Sequence, residues 1–397
     1  MARIAFVACS KTKSADRLPA AALYRSALFR KSMLAAADRA DKIHILSAKH
    51  GLLGCNDVID PYDVTLKTMK KAERLTWGKR TGDQLDKVLR PGDTAVLLCG
   101  EEYLAPLRFD LARLKATVEL PLGSLSLGSR LSLLRELNGE AELKITAARF
   151  FRIMNQLWAA QSGGRRIAET TGRQIWPARG LYFILEPNRG NSRGRMSRIV
   201  RVGTHAVSQG SKTTLWNRLS THRGTEMGGG SHRSSIFRLH VGRAWSRFAH
   251  EEYWPSSWAE GQSAPIEVRQ EETRLEQQVS QLIGEMQLLW LDVDDEPGPL
   301  SERAYLERNA IGLLSRVGLL SMQPDEHWLG RYSSDWRIAA SGLWNLNHVF
   351  RRPDADFLER LTIAVERTIG RQLGKTISNV GHKTKSDQLN FFPRRGK

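Results

Sequence analysis

The chain has 397 residues, of which 41% are hydrophobic and 26% charged, and carries a formal net charge of +18. That length exceeds one ordinary core and suits two domains plus a tail, and the apolar runs are strand-length, far short of the ~20 residues that span a bilayer. A membrane role is therefore not expected, and Met1-Ala2-Arg3-Ile4 enters a strand-like run at once without a signal-peptide pattern, so the expected location is cytoplasmic. The three cysteines, Cys9, Cys55 and Cys99, cannot all pair and show no Cys-x-x-Cys spacing, which leaves reduced thiols as the expectation.

In chain order, Arg3 to Ala8 reads as a strand, Leu23 to Ala40 as a helix, Lys42 to Ala48 as a strand and Leu66 to Leu89 as a helix. After the Pro91-Gly92-Asp93 turn come a strand at Thr94 to Cys99, a helix at Tyr103 to Leu114 and a strand at Thr117 to Leu122. Such alternation predicts a three-layer α/β domain with a mainly parallel sheet over 1–138. Ligands bind such sheets beyond the C-terminal strand ends, and Ser10, Lys11, Lys13, Ser47, Lys49, His50 and Tyr103 all fall there. Residues 139–174 read as a helical linker, a helix followed by a polar connector.

A second α/β domain, with a small mixed or antiparallel sheet and flanking helices, is expected over 175–355. Its first strand is Gly180 to Leu185, followed by a long loop from Pro187 to Ser197 and a partner strand at Arg198 to Gly203. Thr214 to Arg223 reads as a helix, Gly228 to Ser235 as a glycine-rich loop, Ile236 to Val241 as a strand and Ser301 to Arg316 as a helix. Residues 356–397 are expected to be a C-terminal helix and a basic tail, disordered from about Lys375.

The positive charge is concentrated. Residues 141–250 hold 19 Lys and Arg against four acids, and 17 of those cations are Arg, whereas residues 251–345 hold seven cations against 17 acids. A surface that neutralises phosphates gains from such a block, and Arg suits bidentate phosphate contacts. Nucleic acid, double-stranded DNA in particular, is the expected partner; a homodimer is left open.

Within that block, Gly180-Leu181-Tyr182 followed by Arg201-Val202-Gly203 resembles the paired signature strands of the GIY-YIG nuclease superfamily. Arg218 and His222 have the Arg-x-x-x-His pattern of the helix that follows in that superfamily, and Glu307 stands in the expected later helix. The resemblance implies a metal-dependent endonuclease, with phage defence or restriction as one setting. It implies that Tyr182 faces the cleft to orient or deprotonate water, and that Glu307 holds Mg²⁺ or Mn²⁺. The second motif has Arg201 where the superfamily usually has Tyr, so Tyr182 with His205 or His222 is left to move protons. No Asn clearly matches the one that closes the site; Asn345 is chosen.

The residue types suit phosphodiester hydrolysis. Arg218 and His222 lie four apart on one helix face, and the Arg fork can grip two phosphate oxygens. Glu307 aligns with Ala310, Ile311 and Leu314, which places its carboxylate beside an apolar stripe where it needs a partner. That partner is either a cation or Arg303, four residues earlier. Tyr182 could equally be a core tyrosine, His222 a partly buried histidine and Arg218 a solvated one. Arg201, Arg223 and Arg233 are nucleic-acid-binding candidates, Arg233 through the glycine-rich loop before it.

Cys9-Ser10-Lys11-Thr12-Lys13, Leu23-Tyr24-Arg25-Ser26 and Leu46-Ser47-Ala48-Lys49-His50-Gly51-Leu52 resemble the DUF6884 family, which brings no activity with it. Converging Ser, Lys, His and Tyr side chains could hold a nucleotide or base. Two rival functions follow: a base-processing, glycosylase- or transferase-like enzyme in which the second domain only grips DNA, and an inactive nucleic-acid-binding adaptor.

Overall fold

The structure, a computed structural model, describes residues 1–187, 194–249, 255–321 and 328–387, with the side chains of 373–387 left out. Seven strands lie in the first unit: β1 (Arg3–Ala8), β2 (Leu18–Pro19), β3 (Lys42–Ser47), β4 (Gly51–Gly54), β5 (Val58–Ile59), β6 (Thr94–Leu98) and β7 (Thr117–Glu119). Five of them form a sheet in the order β4-β3-β1-β6-β7, parallel except for β4, while β2 and β5 make a separate pair. The middle strand is apolar on both faces. Ala5 and Val7 join one core with α1 (Ala27–Ala37), and Ile4 and Phe6 join another with α2 (Lys71–Leu85), giving the three expected layers.

Three predicted helices are shorter here: that over Leu66 to Leu89 spans only Lys71–Leu85, and the other two are cut for local reasons. The stretch from Leu23 is interrupted at Tyr24, and α1 begins only after Ser26, whose Oγ accepts from the Phe29 N–H. The stretch from Tyr103 is broken at Ala105–Leu107 into a tight turn that contains Pro106.

After α3 (Leu127–Leu137) and α4 (Glu140–Ala160), the second sheet comprises β8 (Arg165–Arg166), β9 (Gly180–Leu185), β10 (Ile199–Gly203) and β11 (Gln287–Asp292). Its order is β10-β9-β11-β8, with every pairing antiparallel. The helices around it are α5 (Leu215–Arg223), α6 (Ile236–Ala249), α7 (Thr273–Gly284), α8 (Glu302–Leu320) and α9 (Phe357–Asp387). One face of the sheet packs on α4, α8 and α9, the other on α5, α6 and α7.

Three expectations are corrected, and one strand is added. Ile236 to Val241 is not a strand but the start of α6, because Phe237, Val241 and Ala244 recur at the helical spacing and are fully buried. Residues 139–174 are not a linker, since α4 inserts Phe150, Met154 and Leu157 into the core of the second sheet. The added strand is β11, which lies between β9 and β8. The helix after 356 runs past Lys375 to Asp387, and the tail beyond it lies outside the described residues. Of the expected hairpin loop, residues 188–193 also lie outside them.

The two units share a packed boundary. Leu319 and Phe350 enter the α1 core, and Asp38 accepts from both Arg316 (2.7 Å) and Arg352 (2.8 Å). Among the described residues no helix is long and apolar enough to cross a membrane.

Candidate active site

The site forms at the outer edge of β10, where helices from both faces of the second sheet meet. The two motif glycines are required by close approaches. A Cβ on Gly180 would lie 2.2 Å from the Leu291 carbonyl oxygen of β11, and one on Gly203 would lie 2.1 Å from the Tyr182 hydroxyl. Tyr182 pairs in register with Gly203 and lays its ring across it. A bulge between Ile199 and Arg201 does the rest. Ile199 and Val202 both enter the core on one face, leaving Val200 and Arg201 together on the other, with the Arg201 guanidinium 4.9 Å from the centre of the Phe237 ring. The outer edge of β10 is covered by Trp344 and Asn345: Trp344 N donates to Val200 O (2.7 Å), Val202 N to Asn345 Oδ1 (3.1 Å) and Asn345 Nδ2 to Val202 O (2.8 Å).

Beside this edge lies a cavity of about 490 Å³ lined by Arg201, Arg218, His240, Glu307, Arg308 and Asn347, among others. Glu307, from α8, accepts only the Thr204 N–H, at 3.2 Å, and has no ion pair within 4.0 Å among the described residues. Arg303, the alternative partner, points elsewhere: it is fully buried, paired with Asp295 and donating to the His205 carbonyl. Burial pushes the Glu307 carboxyl up to about 6, against the pull of Arg201, the Thr204 N–H and Arg218. Arg218, from α5, is half-buried, and its guanidinium makes no hydrogen bond or ion pair among the described residues. Arg201 donates to the Trp344 carbonyl at 2.6 Å, and its Nε is buried without a partner. Two guanidinium groups and one carboxylate thus face a shared space without neutralising one another.

Several expected residues are elsewhere. Tyr182 is fully buried and away from the cavity; its hydroxyl is 2.8 Å from His222 Nε2, and His222 Nδ1 is 2.7 Å from Ser235 Oγ. His222 is equally sealed, and burial, with Arg201, Arg218 and Arg238 nearby, holds it well below the usual histidine range. His205 donates through Nδ1 to the Thr213 carbonyl (2.8 Å) and accepts the Gly180 N–H at Nε2 (3.1 Å), so it is a neutral brace with no free nitrogen. Burial takes it down to about 4. Arg233 is gripped by both carboxylate oxygens of Glu272, and His232 and Arg238 share Glu276, so Glu272 and Glu276 fasten the glycine-rich loop and take Arg233 out of phosphate binding. Arg223 faces the backbone carbonyls of Gly224 and Ala168, outside the cavity. Asn345 lines the cavity but is engaged by Val202, while the exposed Asn347 beside it is free on the rim.

One residue was missed. His240 lines the cavity, is 5% exposed, and has both ring nitrogens buried without a hydrogen-bond partner. Burial, opposed by Asp335 and aided by Arg243, Arg201 and Arg337, takes it down to about 4. The signal was the helical spacing of the residues around it, hidden by reading 236–241 as a strand.

In the first unit, Lys13, Ser47, Lys49 and His50 do gather, around Tyr62. Ser47 Oγ and Tyr24 Oη each lie 2.7 Å from the Tyr62 hydroxyl, Lys13 Nζ stands 4.3 Å from the Tyr62 ring centre, and Tyr103 Oη is 3.2 Å from Cys9 Sγ. Ser10 instead turns back onto the Thr12 carbonyl, and Lys11 is exposed.

Two family models match the chain. A GIY-YIG domain covers residues 142–371, and a family of unknown function, DUF6884, covers residues 4–136. Neither the curated proteins nor the solved structures offer a match.

Proposed function

Since the chain belongs to the GIY-YIG domain family, which supports a nuclease-type function and implies nucleic-acid binding, we propose that it is a metal-dependent endonuclease cutting DNA in the cavity beside β10. The observation that carries this reading is Glu307: a partly buried carboxylate on the cavity wall, without a cationic partner, sharing the space with two guanidinium groups that lack a carboxylate. Charges half-withdrawn from water in this way are met by a ligand that brings the missing partners. A phosphodiester with a divalent cation does so.

The donor set fits such a cation. Magnesium takes one or two protein carboxylates and fills its shell with water and phosphate oxygens, and among the described residues no group of three or more His, Cys, Asp or Glu builds a fuller cage. Glu307 would hold Mg²⁺ or Mn²⁺, which supplies Lewis-acid polarisation and charge neutralisation at the phosphate when bound. Arg218 grips two phosphate oxygens from the opposite wall, and Arg201, fixed by the Trp344 carbonyl, adds a second positive charge as negative charge grows on the phosphate. His240, held neutral in the cavity wall with unpartnered nitrogens, is assigned proton acceptance from the attacking water. Tyr182 and His222 act behind the wall, joining the helix that bears Arg218 to β9.

The test is plasmid and single-stranded DNA incubated with the protein and Mg²⁺, Mn²⁺ or EDTA, beside Glu307→Ala and Arg218→Ala. Metal-dependent nicking lost in both variants is expected. Undiminished cutting by Glu307→Ala overturns the assignment. Abasic sites without strand breaks would point to base-processing chemistry, and salt-sensitive binding without breaks to an adaptor.

A further inference from the structure

Helix α6 continues beyond the cavity, and so does its chemistry. Ile236 and His240 line the cavity, and Arg243 and Arg247 follow at the spacings that keep residues on one helix face. Neither guanidinium group has a hydrogen bond or ion pair among the described residues. Arg247 opens instead on a second cavity, about 650 Å³, at the boundary between the two units. The second unit contributes Ser246, Arg247 and Tyr332 to it, and the first unit contributes Asp16, Arg17 and Leu18.

Its polar groups lack partners in a consistent way. Ser246 is 7% exposed, lines the cavity and has no hydrogen-bond partner for its Oγ. Arg247 Nη1 is also buried and unpartnered. Burial, and then the like charge of Arg17, pull the Arg247 guanidinium below its ordinary value. Arg17 itself has only an exposed contact with Asp60 at 4.0 Å. The one acid in the lining, Asp16, is already paired with Arg331. Two arginines from different units and a buried hydroxyl donor thus face one space with no free anion. Unmatched buried donors cost free energy that an anionic oxygen ligand would recover.

We propose that this cavity binds a backbone phosphate of the nucleic-acid strand cut at the β10 cavity, with the strand running along α6 and the first unit helping to hold it through Arg17. This rests on the nuclease reading above. At 1.5 Å per residue, His240 and Arg247 are about 10.5 Å apart along the helix, roughly three nucleotide steps at ~3.4 Å per strand phosphate, and Arg243 lies between them.

The test uses the full chain in EDTA, so that binding is read without cutting. Affinity for a labelled DNA duplex is measured against salt for the unaltered protein, Arg17→Ala, Arg247→Ala and Ser246→Asp, with Arg247→Lys as the charge-keeping control. Arg17 is exposed and outside both cores, so Arg17→Ala folds whatever happens at Arg247. Each Arg→Ala variant is expected to weaken binding about tenfold or more and to flatten the log–log salt slope by about one. Ser246→Asp should weaken binding further, and Arg247→Lys should restore most of the slope. An unchanged slope in Arg17→Ala and Arg247→Ala, in a protein that binds and cuts DNA, overturns this inference alone. Absence of DNA binding by the unaltered protein overturns the nuclease reading with it. Inorganic phosphate or a mononucleotide binding more tightly than the duplex, and lost in Arg247→Ala, would assign the cavity to a free phosphate ligand and overturn the strand path.

Discussion

The two units gather polar side chains in opposite ways. Around Tyr62 in the first unit, Ser47, Tyr24 and Tyr62 form a chain of hydroxyls that satisfy one another, with Lys13 and Lys49 laid over the Tyr62 ring and His50 Nε2 left as the unpartnered atom. Beside β10 in the second, Glu307, Arg218, Arg201 and His240 share a space and leave charges or nitrogens unmatched. A cluster that satisfies itself stabilises the fold, whereas one that does not stores a demand that a substrate can meet. The same contrast occurs inside the second unit. Arg233 and Arg238 are matched to Glu272 and Glu276, while Arg218, Arg243 and Arg247 are not.

Breaking a matched pair should cost stability and leave the cavity's chemistry alone. The largest effect is expected for Glu276→Ala, which strands the fully buried Arg238 guanidinium: about 3–5 kcal/mol by urea unfolding. A loss under 1 kcal/mol would show that the pair contributes little.

Next is acid. His205 and His240 are both held near 4, below the ~6.5 of an unfolded histidine, so the unfolded chain binds their protons first as pH falls. Their contribution is complete above about 6.5 and is lost as pH falls towards 4, up to roughly 3 kcal/mol for each. Unfolding midpoints at pH 7 and pH 5 measure it, and His240→Leu should lessen the drop. A midpoint unchanged between the two pH values would contradict the neutral burial of both rings.

Arg218→Lys keeps the charge but loses the fork, and about a 10²-fold fall in the rate of DNA nicking at saturating protein is expected, with the unfolding midpoint unchanged. An unaltered rate would mean that Arg218 acts only as a point charge. The smallest effect is expected for Tyr62→Phe, about 1 kcal/mol of stability with nicking unaffected; a large loss of nicking would tie the first unit's cluster to the reaction.

Much of this arrangement was legible in the sequence because it is local. The strand-to-helix alternation of the first unit, the pairing of Gly180 to Leu185 with the Arg201-Val202-Gly203 strand, and the Arg218 helix each depend on short-range spacing. Glu307 was legible through its place in an apolar stripe. The rest depended on tertiary partners. Charge counting placed 15 excess positive charges in residues 141–250, yet Arg166, Arg179, Arg233 and Arg238 fold back onto the acidic stretch that follows. The phosphate-binding surface is therefore smaller than the block. His205 and His222 read as free proton carriers because sequence does not show the Gly180 N–H, the Thr213 carbonyl or the Tyr182 hydroxyl that engage them. β11 is hard to read because only Glu285 and Met286 separate it from α7, and Gly284 is the single turn residue at the junction.

The most direct test of the cavity beside β10 is the rate of Mg²⁺-dependent plasmid nicking by Glu307→Gln, a change that removes the charge and keeps the shape. Nicking should fall by at least about 10²-fold, with DNA affinity in EDTA within a few-fold of the unaltered protein. A Glu307→Gln protein that nicks at the original rate in Mg²⁺ would contradict the assignment of the cation and of the reaction to this cavity.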